Sequence, residues 1–271
     1  MIKKNNLIQL SVVFVILIVT YIPTFQWMWE RWNARDTYYS HGILVPFICA
    51  FIIWQKRREL QKISMSPAPS GWLWLVPALL VHLVSTVWQV GFASGFALIP
   101  IIAGIILLFL GKDYLKQLLF PLLFLLFMVP MPEAVIASSS FRLKLFAAQV
   151  STFVMNSLGI SAVRDGSMIR TQHASMMVED PCSGIRSLVA LVALGALMAY
   201  YSNLSKTKKV ILFAAAIPIA ISTNIIRITA LGMVSEIYGE KYAMGFFHDA
   251  MGVLVFVFAF VGLAFVGKLL E

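Results

Sequence analysis

Residues 209–235 read KVILFAAAIPIAISTNIIRITALGMVS. No charge falls between Lys209 and Arg227. As a helix rising about 1.5 Å per residue, the stretch crosses a hydrocarbon core about 30 Å thick. A run of this length and apolarity must satisfy its own backbone in lipid, which decides for a membrane helix. The surrounding composition agrees. Of 271 residues, 60% are hydrophobic and only 12% charged, and the mean hydropathy is +0.87, whereas a soluble domain carries about a quarter charged residues. The expected class is an all-α polytopic membrane protein.

Similar runs place spans near 7–25, 39–54, 72–90, 92–110, 115–131, 184–201, 209–235 and 246–267, about eight transmembrane helices in a single domain, 1–271. The second is short and carries Pro46, so it is either tilted or flanked by partly buried polar residues. The third and fourth are separated only by the turn Val90-Gly91-Phe92. The start, Lys3-Lys4 before an apolar run, has no small-x-small cleavage site and reads as a retained first span.

The net charge of +9 raises nucleic-acid binding, but the basic residues sit in short clusters between apolar runs, as topology requires. Lys3 and Lys4, Lys56 to Lys62, Lys112 and Lys116, Lys206 to Lys209, and Lys268 all fall on one side. The positive-inside rule makes that side cytoplasmic, with both termini on it. The longest outer segment, about 132–183, is then extracytoplasmic. Ile136, Ser140, Leu143, Ala147, Val150 and Val154 recur there at helical spacing, which predicts an amphipathic helix lying in the interface. Beyond it, Asp165-Gly166 between short β-prone pieces predicts a small β-hairpin or meander, a lid over the outer end of the sixth span.

Beside that lid stands the run Glu179-Asp180-Pro181-Cys182-Ser183-Gly184-Ile185-Arg186. Asp suits an N-cap and Pro the first helical position, so Cys182 is expected as the second residue of a helix. The positive helix end eases ionisation of a thiol there, while Glu179 and Asp180 oppose it. Amides near Ser183 and Gly184 are candidate oxyanion donors. Cys49 lies inside an apolar run and reads as packing; two cysteines provide no disulfide framework, and no metal or other cofactor is expected.

Arg227 costs about 2.5–3.5 kcal/mol to insert, so it is either functional or a snorkelling or ion-paired structural charge. Asn224, three residues earlier, shares its face and is placed to orient the guanidinium. Arg186 is a second such charge, for packing or for catalysis. His248 opens the eighth span at the same membrane face as Cys182, and thiol plus imidazole is a nucleophile–base combination. His41, at the start of the second span, and His173, in the lid, are alternative bases or substrate contacts. His82, within the third span, reads as a packed or hydrogen-bonded histidine.

Taken in order, Tyr39-Ser40-His41-Gly42, Trp54-Gln55-Lys56-Arg57-Arg58, Cys182-Ser183-Gly184-Ile185-Arg186, Asn224-Ile225-Ile226-Arg227 and Phe247-His248-Asp249 with Gly252 resemble the exosortases. These are membrane transpeptidases related to archaeosortases. The resemblance covers most of the chain and resides in the order, spacing and placement of the motifs. It implies Cys182 as nucleophile, Arg227 as stabiliser of the thiolate or transition state, and His248 as acid–base. It further implies cleavage of C-terminal sorting tails (motif, span and basic end, PEP-CTERM-like) at the outer face of the cytoplasmic (inner) membrane, through a thioacyl enzyme. The implied partners are tailed exported proteins, membrane lipids, and a lipid or glycan acceptor, or water. A rival from another class is a non-catalytic membrane component of an exopolysaccharide export system.

Overall fold

Apolar runs in lipid have one local solution for their backbone, and the computed structural model shows it throughout. It describes residues 4–34, 37–178, 184–243 and 245–271. Two compact units divide the chain, Met1–Met131 and Pro132–Glu271.

The first unit holds α1 (Lys4–Asn33), α2 (Leu44–Gln55), α3 (Arg57–Leu60), α4 (Trp72–Val87), α5 (Gly91–Phe109) and α6 (Lys112–Phe124). Helices α4 and α5 form a hairpin closed by glycines. A methyl group on Gly71 would lie 2.6 Å from the Gly104 carbonyl oxygen, and one on Gly104 2.9 Å from that of Gly71. Small residues are how membrane helices approach closely without a hydrophobic drive between them. The connecting turn lies two residues before the expected one: α4 ends at Val87 and α5 begins at Gly91, with Gln89 left-handed at φ 57°. Helices α1, α4 and α5 also share a buried polar knot. Ser94 Oγ bonds Thr24 Oγ1 at 2.6 Å and His82 Nδ1 at 2.8 Å, and the His82 ring stacks on Tyr21 at 4.0 Å. His82 is thus a hydrogen-bonded histidine, as its unpaired alternative in hydrocarbon would be costly. Pro121 in α6 lacks an N–H, which frees the Gln117 carbonyl; Lys56 Nζ donates to it at 3.1 Å.

The second unit begins with α7 (Glu133–Ser157), followed by β1 (Val163–Asp165), β2 (Met168–Arg170) and β3 (Ser175–Met177). The strands form one antiparallel sheet in the order β1-β2-β3, and Gly166 at φ 60° makes the first turn. The expected hairpin or meander is therefore a three-stranded meander. Four helices complete the unit: α8 (Ile185–Tyr201), α9 (Lys206–Tyr238), α10 (Glu240–Ala243) and α11 (Phe246–Leu270). Helix α7 buries Ser140, Ala147, Ala148, Ser151, Thr152 and Met155, one stripe at helical period. With Ile169 and Met176 from the sheet and Ile228 and Leu231 from α9, Ala147, Ala148 and Met155 of that stripe make one core. A second contact ties α7 to α9, since Ser151 Oγ donates to the Ile225 carbonyl at 3.2 Å.

The expected all-helical polytopic class with a small sheet holds. Among the described residues, five helices are long and apolar enough to cross a membrane, or six if Lys112–Met128 and Glu133–Ser157 together make one broken span. Two of the eight expected spans, Ser40–Gln55 and Ile185–Tyr201, are shorter apolar helices. Helix α9 is the reverse: its 33 residues reach about 50 Å, well beyond a hydrocarbon core.

Candidate functional site

A guanidinium buried in a span needs a partner that lipid cannot supply. Arg227, on α9, is only 8% exposed. Its Nη2 donates to His248 Nε2 at 3.1 Å and to the His248 carbonyl oxygen at 3.3 Å. A guanidinium has no lone pair to offer, so Nε2 is the acceptor and the neutral ring carries its proton on Nδ1. Four residues further along α11, Gly252 lies beside the guanidinium, whose Nη2 is 3.5 Å from where a methyl group would stand, an ordinary van der Waals distance. Arg227 therefore packs against the His248–Gly252 face of α11. Its Nε is buried and without a hydrogen-bond partner among the described residues, so part of the donor fork remains unspent.

Sequence reasoning assigned Asn224 to orient this guanidinium. Its carboxamide also lies against the start of α8. Asn224 is 4% exposed and lies against Gly184, the N-cap of α8, which is left-handed at φ 79°. A methyl group on Gly184 would fall 2.8 Å from both Asn224 Cγ and Nδ2. The two residues line a cavity of about 10 Å³ with Leu143, Ala147, Leu188, Ala220 and Ile221, room for about one water.

Helix α8 begins at Ile185, later than the Asp180-Pro181 start that the cap rules favoured, because a left-handed Gly184 cannot continue a right-handed helix. The proposed cap at Asp180, the nucleophile Cys182 and its neighbour Ser183 lie outside the described residues. Arg186, in the first turn of α8, is exposed rather than packed between helices.

The remaining histidines have their own settings. His173, between β2 and β3, bonds Glu236 on α9 through ring and backbone. Nδ1 stands 2.7 Å from Oε1, and the His173 N–H donates to Oε2 at 3.1 Å. His41 belongs to the first unit, where its ring stacks on Tyr39 at 6.0 Å and its Nε2 is buried without a partner among the described residues. Cys49 is buried in the same unit, with Sγ 3.2 Å from the Pro121 carbonyl oxygen.

Glu236 is the residue that sequence reasoning missed. An acidic side chain in the last turns of a helix opposes the dipole, and that was the available signal that it needs a partner. Gly252 belongs to a sequence motif; that it lies beside Arg227 depends on α9 and α11 being neighbours. Among the described residues, no three His, Cys, Asp or Glu side chains gather in a way that could hold a metal ion.

The transmembrane exosortase family model (Exosortase_EpsH) matches residues 29–265. The chain belongs to this family. The match runs through both units of the exosortase and spans every candidate residue from His41 to His248. No curated protein and no solved structure gives a match. What this exosortase shares with its family is thus the whole run of membrane helices from the end of α1 to the last turns of α11.

Proposed function

We propose that this exosortase is a membrane-embedded cysteine protease or transpeptidase that removes C-terminal sorting tails of exported proteins, PEP-CTERM-like, at the outer face of the cytoplasmic membrane. The observation that carries the reading is the Arg227–His248 pair: a guanidinium costly to bury, bonded to an imidazole on the neighbouring span, in a family of sorting enzymes. Purely structural roles seldom place a charge there.

The reaction starts with a substrate whose tail span lies beside the enzyme in the bilayer and whose motif reaches the outer interface. The Cys182 thiol gives its proton to His248 Nε2 as sulfur attacks the scissile carbonyl carbon. Because Arg227 Nη2 occupies that lone pair in the free enzyme, its hydrogen bond has to transfer to the developing oxyanion as Nε2 accepts the proton. One donor thereby serves first the base and then the transition state. The C–N bond breaks, the imidazolium returns its proton to the leaving amine, and the acyl group stays on sulfur as a thioester. A second nucleophile then releases the product: water gives hydrolysis, while a lipid headgroup amine or a glycan gives transfer.

Co-expression with a tailed substrate tests this. Wild type and Cys49→Ala should yield cleaved product, and Cys182→Ala and His248→Ala only precursor. Cleavage that persists in Cys182→Ala would remove the enzyme reading and leave a non-catalytic component of an export system.

A further inference from the structure

The first unit takes no part in that reaction scheme, yet two stretches distant in the chain bring their cations together at one end of it. The first is α3 with its flanks, and the second is the start of α6. Hydrogen bonds hold them side by side. Lys56 Nζ donates to the Gln117 carbonyl at 3.1 Å and lies 3.3 Å from its Oε1. Tyr114 Oη donates to the Ile63 carbonyl at 3.4 Å, and the Ser66 N–H donates to the Leu110 carbonyl at 3.2 Å. The approach is so close that a Cβ on Gly111 would collide with the Ser66 carbonyl. Six cations, Lys56, Arg57, Arg58, Lys62, Lys112 and Lys116, thus share this end with two carboxylates, Glu59 and Asp113. Asp113 is taken by Lys116 at 3.1 Å. Arg58, Lys62 and Lys112 are exposed and have no ion-pair partner among the described residues. Lys112 is also the first residue of α6, where the helix dipole disfavours a cation and favours an anion.

Topology alone asks only that such cations stand on one side of the membrane, not that any of them be held. Arg57 is held. Its Cζ lies 4.1 Å from the centroid of the Trp54 ring, and its Nη1 donates to the Trp54 carbonyl at 2.8 Å. It is nonetheless exposed, a planar fork with donors to spare for a phosphate. Trp54 in the last turn of α2, and Trp72 and Trp74 in the first turn of α4, are each more than half exposed. Exposed indoles favour the level of the lipid headgroups. Beyond them Leu73, Val76 and Leu80 leave one face of α4 apolar and exposed. We propose that this end of the first unit binds an anionic phospholipid. Arg57, Arg58, Lys62 and Lys112 receive the headgroup phosphate, and the acyl chains lie along α4. A free phosphate would use the cations alone; a lipid uses the cations, the indoles and the apolar face together.

The test uses the full-length protein in detergent, with the affinity of the first bound lipid read by native mass spectrometry. The probes are phosphatidylglycerol, phosphatidylcholine with the same acyl chains, and inorganic phosphate as competitor. Phosphatidylglycerol should bind at least about 10-fold more tightly than phosphatidylcholine, since each cation near an anionic headgroup is worth about fivefold. Arg58→Gln with Lys62→Gln should weaken phosphatidylglycerol by about 25-fold. Arg57→Lys keeps the charge, and with it the topology signal, but loses the fork and its stacking on Trp54. It should weaken phosphatidylglycerol several-fold and leave phosphatidylcholine unchanged, and it carries the result if the double variant fails to insert. Lys206→Gln with Lys268→Gln removes the same charge from the second unit and should leave the affinity parental. Equal affinity for the two lipids would overturn the proposal, as would parental phosphatidylglycerol binding in Arg57→Lys. Equal weakening in the second-unit variant would overturn it in favour of net charge, and displacement by inorganic phosphate in favour of a free anion.

Discussion

At the residue scale the exosortase is organised around what a guanidinium can do and an ammonium cannot. Arg227 reaches His248 through Nη2, bonds both its ring and its carbonyl, and has a buried Nε with no hydrogen-bond partner among the described residues. A planar fork can divide its donors in this way; a lysine offers a point charge on a flexible stem. Arg227→Ala should therefore insert normally and lose roughly 10²–10³-fold in kcat, and Arg227→Lys should recover little of it. Single-turnover cleavage in detergent or native membranes measures both, and near-normal turnover of the lysine variant would show that charge alone suffices. Arg227 was legible as a costly charge in a span, and His248 as a histidine at a membrane face. That they touch was not legible, because 21 residues separate them and the contact depends on how α9 packs on α11. Asn224 shows the same limit more sharply. Helical spacing puts it on the face of Arg227, but a shared face does not say which neighbours a side chain meets, and here Gly184 is among them.

At the scale of elements, α9 is longer than a span and its excess has a use. The last turns carry Glu236, whose two oxygens take the ring and the backbone N–H of His173, so the β2–β3 turn is tied to the helix that bears Arg227. Below that tie the sheet inserts Ile169 and Met176 into the core shared with α7 and α9. Glu236→Ala should loosen the sheet, read as faster hydrogen exchange of the amides in residues 163–177 with α11 unaffected. Asp165→Asn on the same sheet is the control. It breaks only the exposed pair with Arg170 at 3.3 Å, worth about 0–1 kcal/mol, and should change exchange little. Equal exchange in Glu236→Ala and wild type would mean that apolar packing alone holds the sheet. The turn at Gly166 could be foreseen from Asp165-Gly166; the tie to Glu236 could not, since it joins positions 63 residues apart.

At the scale of the whole molecule, the distribution of lysine and arginine makes a claim that packing does not address. By the positive-inside rule, the clusters at Lys56 to Lys62, Lys112 and Lys116, and Lys206 to Lys209 predict cytoplasmic loops. A reporter fused at Ser205 should behave as cytoplasmic and one at Thr171 as external; the reverse pattern would put Cys182 on the wrong side for sorting exported proteins. By itself the sequence determined that this chain is a bundle of membrane helices with a small β meander after α7. Those features follow from local backbone needs: long apolar runs must become helices in lipid, and a turn residue beside β-prone pieces makes a hairpin. It also showed which polar residues lie in or beside the spans, because a charge among apolar neighbours is visible without a fold. Only the tertiary structure decided that α8 starts at Ile185 with a left-handed glycine before it, that Asn224 covers that glycine, and that Arg227 bonds His248. Each of these is a contact between elements distant in the chain, and side-chain partners in a bundle are set by helix rotation and close packing, which hydropathy and spacing do not record.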